Sequence, residues 1–331
     1  MVLKSDLRVT LLSGAAAMML GSAPVLAEDE KITMIMGWRA QAEQGGFWNA
    51  SLKGYYAECG VEMDMRQGGA GIDVTRLLTS NAVDAAITSQ NDGVMRMREA
   101  GFPAVAVFTS FQHTPTTIDV HEESGIDSFE ELVGHPIFLS SGNRNTFWPY
   151  LQMKYGYADN QLRSFSGQFA AFLANPESAT QDFVTNGPYV MQQEAPDVKV
   201  RHMFLRDTGY MPYSGLLTVS EQMIEDKPEV VQCLVDASRR GWVDYLADPS
   251  DAFAYIAEIA PENSMGLLDY AFTTMKEFGF LENEDTASYG YGAMTNARWK
   301  IHYEQLVATG TFPEGFDYTA AYTLDYQNGS D

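Results

Sequence analysis

Polar or glycine-rich residues directly follow five apolar stretches that have the length and composition of β-strands. These segments are Trp38-Arg39, 68–71, Ser89-Gln90-Asn91, 140–145 and 185–189. In open α/β sheets, ligands bind at the carboxyl ends of the strands, near the points where the strand order reverses. Two of the segments lead into predicted helices, whose first backbone N–H groups favour an anionic or carbonyl-bearing ligand. The arrangement predicts a binding site for a small molecule.

Aromatic residues recur near these segments, and rings combined with a few fixed donors and acceptors suit a small, flat, polar ligand. We expect Trp38 and one tyrosine to stack on the ligand, while amide and hydroxyl side chains and backbone N–H groups orient it. The predicted binding residues are Trp38, Phe47, Gly69, Ala70, Ser89, Gln90, Asn91, Gly142, Asn143, Asn186, Tyr189, Tyr210 and Tyr213.

Several of these aromatic residues also fit a purely structural role. Trp38 suits packing between a strand and a helix, because tryptophan is usually well buried. Phe47 and Trp48 are neighbours on one predicted helix, so at most one of them can face a cleft. Tyr210 and Tyr213 are suited to packing at a joint between domains, because tyrosine combines an apolar ring with a polar tip.

The sequence carries none of the common catalytic signatures. It contains no HExxH, GxSxG, Walker A or CxxC motif. Its five histidines are scattered, and 68–71 lacks the GxGxxG spacing of a dinucleotide-binding loop. We therefore predict no catalytic residue, no metal site and no cofactor, which favours a binding protein over an enzyme.

The chain has 331 residues, with 44 Asp and Glu against 21 Lys and Arg and a formal net charge of −23. The acid excess argues against nucleic acid and anionic lipid as partners, because both bind clustered basic residues. The hydrophobic fraction of 45% is ordinary for a folded chain. The length exceeds what one hydrophobic core usually covers, so two lobes are expected.

The first 27 residues have the pattern of a cleaved secretory signal peptide. Lys4 and Arg8 precede an apolar run over 9–20, and the small residues that end at Ala27 predict cleavage after that residue. The run is too short to span a bilayer. We therefore predict a protein of the periplasm, where Cys59 and Cys233 either pair or remain two separate buried thiols.

Short apolar segments alternate with amphipathic segments along the rest of the chain, which predicts an α/β fold with largely parallel strands. The last third is predicted to be mainly helical. Predicted strands cover 31–37, 61–66, 85–88, 104–109, 116–120, 136–139, 161–164, 181–184 and 198–204. Predicted helices cover 47–58, 72–79, 93–100, 146–155, 228–246, 264–278 and 295–308.

A series of segments, taken in order, resembles one known family. The resembling segments are 32–38, 53–56, 60–62, 68–73, 77–78, 83–86, 100–103, 124–132, 185–189, 207–210, 227–229, 241–242 and 248–249. The family groups periplasmic solute-binding proteins of ABC importers with the fungal thiamine pyrimidine synthases. Its bacterial members bind thiamine-pyrimidine precursors, taurine and other alkanesulfonates, nitrate or riboflavin.

The resemblance implies a two-lobed type II periplasmic-binding fold, with two βα sheets and a ligand cleft between the lobes. Lobe one would comprise 28–113 and 214–331, and lobe two 114–213, with a hinge at 112–115 and 213–217. It further implies a monomeric solute-binding component of an ABC transporter. Such a protein captures an aromatic, heterocyclic or anionic molecule, similar to a thiamine-pyrimidine precursor or a sulfonate, and delivers it to a membrane permease with its ATPase.

Two departures from the family pattern bear on the function. Members that bind pyrimidines often carry Glu where this chain has Gly187, so an acceptor for amino groups is missing at that position. The synthases carry a cysteine-rich cluster in the stretch that corresponds to 208–214, which here contains no Cys, and they work inside the cell. An enzyme on this fold and a ligand sensor for a membrane receptor are the alternatives to the transport protein.

Overall fold

The computed structural model describes residues 30–69 and 72–327. The predicted signal peptide, its cleavage after Ala27 and the predicted site residue Ala70 lie outside these residues. Within them, ten strands form two sheets of five strands each. The strands are β1 (Glu30–Ile35), β2 (Val61–Arg66), β3 (Ala85–Gln90), β4 (Ala104–Phe111), β5 (Thr116–His121), β6 (Ile137–Leu139), β7 (Leu162–Ser164), β8 (Ala179–Phe183), β9 (Val200–Phe204) and β10 (Ser214–Ser220).

Both sheets are mixed, which corrects the prediction of largely parallel sheets. The first sheet has the order β2-β1-β3-β10-β4, and β10 runs antiparallel to both of its neighbours. The second has the order β7-β6-β8-β5-β9, and β5 runs antiparallel to β8 and β9. The other observed strand pairs are parallel. Each reversed strand comes directly after the chain has crossed from the other sheet, so it enters its sheet from the opposite end.

Helices pack around the two sheets. They are α1 (Gly45–Leu52), α2 (Val74–Thr79), α3 (Asn91–Glu99), α4 (Trp148–Tyr155), α5 (Ala170–Leu173), α6 (Gly187–Glu194), α7 (Glu221–Asp226), α8 (Pro228–Ala247), α9 (Ser250–Ile259), α10 (Met265–Glu277), α11 (Glu284–Tyr289) and α12 (Asn296–Ala308). The helix predicted over 47–58 ends early, at Leu52, because Gly54 adopts a left-handed φ of +74° and turns the chain. The prediction of a helical last third is confirmed, apart from β10.

Each sheet has its own hydrophobic core, which defines two lobes. In lobe one, Met34 of β1 packs with Trp242 of α8 on one face of the sheet, and Trp299 of α12 belongs to the core on the other face. In lobe two, Ile118 of β5 belongs to a separate core with Phe147. Two separate cores agree with the size of the chain, because one core rarely serves more than about 250–300 residues.

Helices α1 and α8 approach each other closely because small residues line their contact. A Cβ atom at Gly46 would collide with the indole of Trp242, and a Cβ atom at Gly241 would collide with the backbone of α1. A disulfide bond between Cys59 and Cys233, whose Cα atoms are 5.9 Å apart, joins the chain beyond α1 to α8. Of the two possibilities left open by the sequence, the structure therefore shows the paired cysteines.

Two segments carry the chain between the sheets, and one arginine binds both. The crossings lie between β4 and β5, at 112–115, and between β9 and β10, at 205–213. Arg298 of α12 is 6% exposed and donates hydrogen bonds to the carbonyl oxygens of Gln112, Met211 and Pro212. The second crossing shares only Tyr213 with the predicted hinge segment 213–217, because 214–217 already belong to β10.

Candidate functional site

The two lobes face each other along a boundary, here called the interlobe cleft. The segments at the carboxyl ends of β1, β2 and β3 in lobe one are 36–44, 67–69 and 89–91, and those at the carboxyl ends of β6 and β8 in lobe two are 140–146 and 184–189. Three hydrogen bonds join the lobes across this cleft. They run from the Thr185 hydroxyl to Glu43, from the Tyr270 hydroxyl to the Val184 carbonyl oxygen and from the Arg96 guanidinium to the Asn145 carbonyl oxygen.

Trp38 is the most exposed aromatic residue of the predicted site. Its carbonyl oxygen accepts a hydrogen bond of 3.0 Å from the backbone of Gly68, so the loops after β1 and β2 hold its backbone. A side chain at Gly68 would collide with the Met36 carbonyl oxygen, so this close approach of two loops requires glycine. The Trp38 side chain itself is free of the core, with 46% of the residue exposed. Because its backbone is fixed and its ring is exposed, Trp38 is suited to stacking on a ligand.

The structure places three predicted aromatic residues in packed interiors and does not bring them together with Trp38. Phe47 is fully buried in the lobe-one core, where its ring makes an edge contact with that of Trp242. Tyr210 packs against the ring of His302, and the Tyr213 hydroxyl accepts a hydrogen bond of 2.9 Å from the backbone of Thr295. Tyr210 and Tyr213 lie at the joint between the lobes.

Two predicted residues at the end of β3 carry side-chain atoms with no hydrogen-bond partner among the described residues. Asn91 is fully buried, and its Oδ1 accepts a hydrogen bond of 2.8 Å from the backbone N–H of Tyr213, whereas its Nδ2 is unpartnered. The buried Oε1 of Gln90 is also unpartnered, and Ser89 beside it is exposed. Because an unsatisfied buried polar atom costs about 1–3 kcal/mol, these atoms favour a partner that enters the cleft.

The remaining predicted residues lie in the segments that follow β2, β6 and β8. Gly142 is exposed, and the backbone N–H of Asn143 donates to Ser140 Oγ at 3.3 Å. Asn186 precedes the first residue of α6, and Tyr189 in the first turn of that helix lies 5.6 Å from the ring of Tyr270 on α10. In lobe one, Gly69 lies beside the Arg39 side chain.

Glu43 is a cleft residue that the sequence analysis missed. It sits in a 3-10 turn, Ala42–Gln44, between the loop after β1 and the start of α1. Side chains of other elements hold this segment: the Tyr245 hydroxyl donates to the Ala42 carbonyl oxygen at 2.9 Å, and Asn263 donates to that of Ala40 at 2.8 Å. Burial raises the pKa of Glu43, and the hydrogen bond from Thr185 partly offsets that rise. The only sequence signal was an acidic residue between a strand and Gly45-Gly46.

A buried polar cluster behind the cleft was also missed, because its members come from three strands. Asp119 Oδ2 of β5 lies 3.0 Å from His202 Nδ1 of β9, and Asp182 of β8 lies beside Asp119. Burial and the neighbouring Asp119 raise the pKa of Asp182 well above its usual range. Burial alone would lower the pKa of His202, but Asp119 more than offsets this effect. A Cβ atom at Gly187 would collide with the Asp182 carboxyl group, which explains why no larger residue stands at that position.

Within residues 30–69 and 72–327, no three His, Cys, Asp or Glu side chains are arranged to hold a metal ion. In the same part of the chain, no helix is long and apolar enough to cross a lipid bilayer.

The fold is that of two-lobed periplasmic binding proteins. The periplasmic aliphatic sulphonate-binding protein SsuA from Escherichia coli has a similar structure, with a TM-score of 0.63 and 14% identity over 91% of this chain and 95% of that protein. A sulfonate-binding SsuA from Methylobacillus flagellatus is similar at a TM-score of 0.64 and 13% identity, over 90% and 93% of the two chains. The desulfurization enzyme DSZB shares the fold, with a TM-score of 0.59 and 12% identity over 90% and 97%.

The family follows from the sequence match. The model of the NMT1/THI5-like family matches residues 41–252, more than half of the chain, so this protein belongs to that family. The riboflavin-binding protein RibY from Chloroflexus aurantiacus is 26% identical over 307 residues, which cover 91% of this chain and 87% of that protein. The resemblance found in the sequence is thereby confirmed at the level of family and fold.

Proposed function

We propose that this chain is a secreted solute-binding component of an ABC importer. It captures a small aromatic, heterocyclic or anionic molecule in the interlobe cleft and delivers it to a membrane permease and its ATPase. One observation supports the proposal: Trp38 follows β1 with an exposed ring, and at the end of the neighbouring strand β3 buried amide atoms of Gln90 and Asn91 lack partners among the described residues. Such a combination supplies both apolar area and directional contacts for a small molecule.

Binding and closure are coupled in this proposal through the two crossings between the lobes. A ligand that contacts both lobes stabilises the closed arrangement, since it adds its own contacts to the hydrogen bonds from Thr185 and Tyr270. Arg298 holds the two crossings together, so the lobes move about a fixed joint. The closed form is then the one that a permease distinguishes from the open form.

Two ligand classes are supported by similar proteins. RibY is named for riboflavin, a flat heterocycle, and the SsuA proteins are named for sulfonates. The exposed Trp38 ring suits the flat heterocycle, because stacking rewards a large apolar face.

Thermal unfolding of the chain from Glu28 onward, against a panel of small molecules, tests the binding function. The panel contains riboflavin, thiamine pyrimidines, taurine, alkanesulfonates and nitrate. A ligand at about 1,000 times its Kd adds roughly 4 kcal/mol to the free energy of unfolding, which raises Tm by several degrees. No shift with any compound, together with no small molecule released on denaturation, would contradict the proposal.

Uptake by cells tests the transport role. A strain that lacks this chain is expected to lose uptake of the labelled ligand at concentrations near its Kd, and the wild-type chain restores it. Normal uptake with loss of a ligand-dependent response would instead favour the sensor.

The alternative of a thiol-dependent enzyme is disfavoured by the chemistry of the chain. The sequence contains two cysteines, and both form the disulfide bond between Cys59 and Cys233. The protein therefore has no free thiol that could act as a nucleophile. Turnover of any panel compound that raises Tm would support the enzyme alternative, and we expect the compound to be recovered unchanged.

A further inference from the structure

The carboxyl group of Glu43 stands at the interlobe cleft and, among residues 30–69 and 72–327, forms no ion pair. Among the described residues, its hydrogen-bonding side-chain partner is the hydroxyl of Thr185, which comes from the opposite lobe. The turn that carries Glu43 is fixed by the hydrogen bonds from Tyr245 and Asn263. The carboxyl group is therefore held in place at the line where the two lobes close.

Two basic residues that follow strands of lobe one pair with other carboxylates. The Arg39 guanidinium pairs with Glu262 at 3.1 Å, and that of Arg96 lies 3.6 Å from Asp92. Neither neutralises Glu43. Burial disfavours the charged form of Glu43 and raises its pKa, so a ligand that donates a hydrogen bond to this carboxylate restores part of the stabilisation that water gives an exposed one.

Nearby amide groups reinforce the excess of acceptors. The buried Oε1 atoms of Gln44, in the same turn as Glu43, and of Gln90, at the end of β3, have no partner among the described residues. The Nδ2 group of Asn91 is the corresponding unpartnered donor. A molecule that satisfies these atoms needs more hydrogen-bond donors than acceptors on the side that faces lobe one.

We propose that Glu43 accepts a hydrogen bond from a nitrogen donor of the ligand, and that it rejects ligands that offer only anionic oxygens. The donor is a ring N–H, an aromatic amine or an ammonium group. A carboxylate accepts several hydrogen bonds, so the bond from Thr185 leaves room for one from the ligand. This inference rests on the proposed function and adds that the ligand must carry a nitrogen donor.

The preference for a nitrogen donor and the rejection of an oxyanion have different physical causes. A charge-assisted hydrogen bond is about twice as strong as a neutral one, so the nitrogen donor gains affinity. An oxyanion brought beside an uncompensated carboxylate is repelled, and like charges at a contact suppress wrong partners. Glu43 also supplies, from lobe one, an acceptor for amino groups that Gly187 cannot provide in lobe two.

Calorimetric titration with matched ligand pairs tests the inference. The pairs are riboflavin with its N3-methyl derivative, the aminopyrimidine of thiamine with its dimethylamino derivative, and taurine with ethanesulfonate. In each pair, one member has the nitrogen donor and the other lacks it. For the scaffold that binds, we expect the donor-lacking member to bind about ten- to a hundredfold more weakly.

The variants Glu43→Gln and Thr185→Val are titrated with the same pairs. Glu43→Gln is expected to reduce the difference within the pair severalfold or more. Thr185→Val leaves the carboxylate in place, so the preference for the donor is expected to persist. Glu62→Gln, at the end of β2 away from the cleft, is the matched control and is expected to behave as the wild type.

The outcomes separate this inference from the proposed function. Binding of one scaffold with no preference for the donor, or with an unchanged preference in Glu43→Gln, would overturn the role of Glu43 and leave the binding function standing. A preference that shrinks in Glu43→Gln alone supports the inference. Failure of every scaffold to bind would contradict the proposed function and the inference together.

Discussion

In the proposed site, an aromatic ring, a carboxylate and two amide groups would each make a different kind of contact with the ligand. Trp38 offers an exposed ring on a backbone that is held by Gly68, and Glu43 offers a fixed acceptor. Gln90 and Asn91 offer amide atoms without partners among the described residues. The Trp38 ring lies outside the core, so a substitution there should change affinity more than the stability of the fold, whereas Asn91 also binds the backbone of Tyr213.

Replacing Trp38 separates the effect on ligand affinity from the effect on the stability of the fold. Trp38→Ala is expected to weaken ligand binding by about 1–3 kcal/mol, or roughly five- to 150-fold, because the stacking surface is lost. The Tm of the ligand-free protein should change little, because the ring lies outside the core. Calorimetry and thermal unfolding measure the two quantities, with Trp38→Phe as the conservative control. Unchanged affinity in Trp38→Ala would remove this residue from the site.

A buried histidine at the joint between the lobes gives the stability a pH dependence. Burial, followed by the charge of Arg298, lowers the pKa of His302 to about 3. In the unfolded chain the ordinary value is about 6.5, so below that pH the unfolded state binds a proton that the folded state does not. The free energy of unfolding therefore falls with decreasing pH, by up to about 1.4 kcal/mol per unit from this group.

The variant His302→Gln removes this proton-binding group. Between pH 6 and pH 4, its free energy of unfolding is expected to fall less steeply than that of the wild type. At pH 8, where His302 is neutral in both states, the two proteins differ only by the packing of the new side chain. Chemical denaturation at the three pH values measures the slopes, and equal slopes would show that His302 is protonated in the folded protein.

At the scale of elements, side chains of α12 hold the joint: Gln305 bonds to the second crossing, and Arg298 bonds to both crossings. Arg298 joins three carbonyl oxygens from both crossings, and its guanidinium lies 4.9 Å from the centre of the Tyr213 ring. Burial lowers the pKa of Arg298 from its ordinary value without a carboxylate in direct contact. The joint therefore depends on the fork-shaped geometry of arginine, which distributes its donors over several acceptors.

The variant Arg298→Lys keeps the positive charge but replaces the planar guanidinium and its several N–H donors by one ammonium group. We expect the free energy of unfolding to fall by about 2–4 kcal/mol, because buried carbonyl oxygens lose their donors. Arg163→Lys is the matched control, since Arg163 is exposed and bonds only to carbonyl oxygens of its own segment. Denaturant unfolding compares the two variants, and similar small effects in both would contradict the assigned role of Arg298.

At the scale of the whole molecule, the sequence predicted the elements better than their order in the sheets. β2 was predicted with its observed bounds, since Val61–Arg66 alternates apolar and charged residues and lies between Gly60 and Gly68. β10 was not predicted, because Ser214–Ser220 overlaps the predicted hinge segment 213–217, between the strand predicted over 198–204 and the helix predicted over 228–246. The mixed sheets depend on where the chain crosses between lobes, and local periodicity carries no information on such crossings.

For the candidate site, too, local sequence gives no information on contacts between distant residues. Trp38, Gln90 and Asn91 could be found because they follow strands, and strand ends meet at the edge of a sheet. Phe47 could not be assigned to the core from its sequence neighbours, since its burial depends on Trp242, almost 200 residues away. Glu43 was missed for the same reason, because its partner Thr185 belongs to the other lobe.

The disulfide bond contributes to the stability of lobe one as a whole. It closes a loop of 174 residues, and such a long loop loses much conformational freedom when its ends are joined. The double variant Cys59→Ser/Cys233→Ser is expected to lose about 2–5 kcal/mol of unfolding free energy. Calorimetric unfolding measures the loss. A wild-type Tm that does not fall on reduction would contradict this contribution.

The function proposed for this protein requires the interlobe cleft to hold one small molecule. The most direct measurement is to identify by mass spectrometry what the purified protein releases on denaturation, and then to titrate that compound into the refolded, ligand-free protein. We predict one compound, bound with a stoichiometry of one and weakened at least tenfold in the Trp38→Ala/Glu43→Gln double variant. Absence of any released compound and of binding to the whole panel, or binding that the double variant leaves unchanged, would contradict the account.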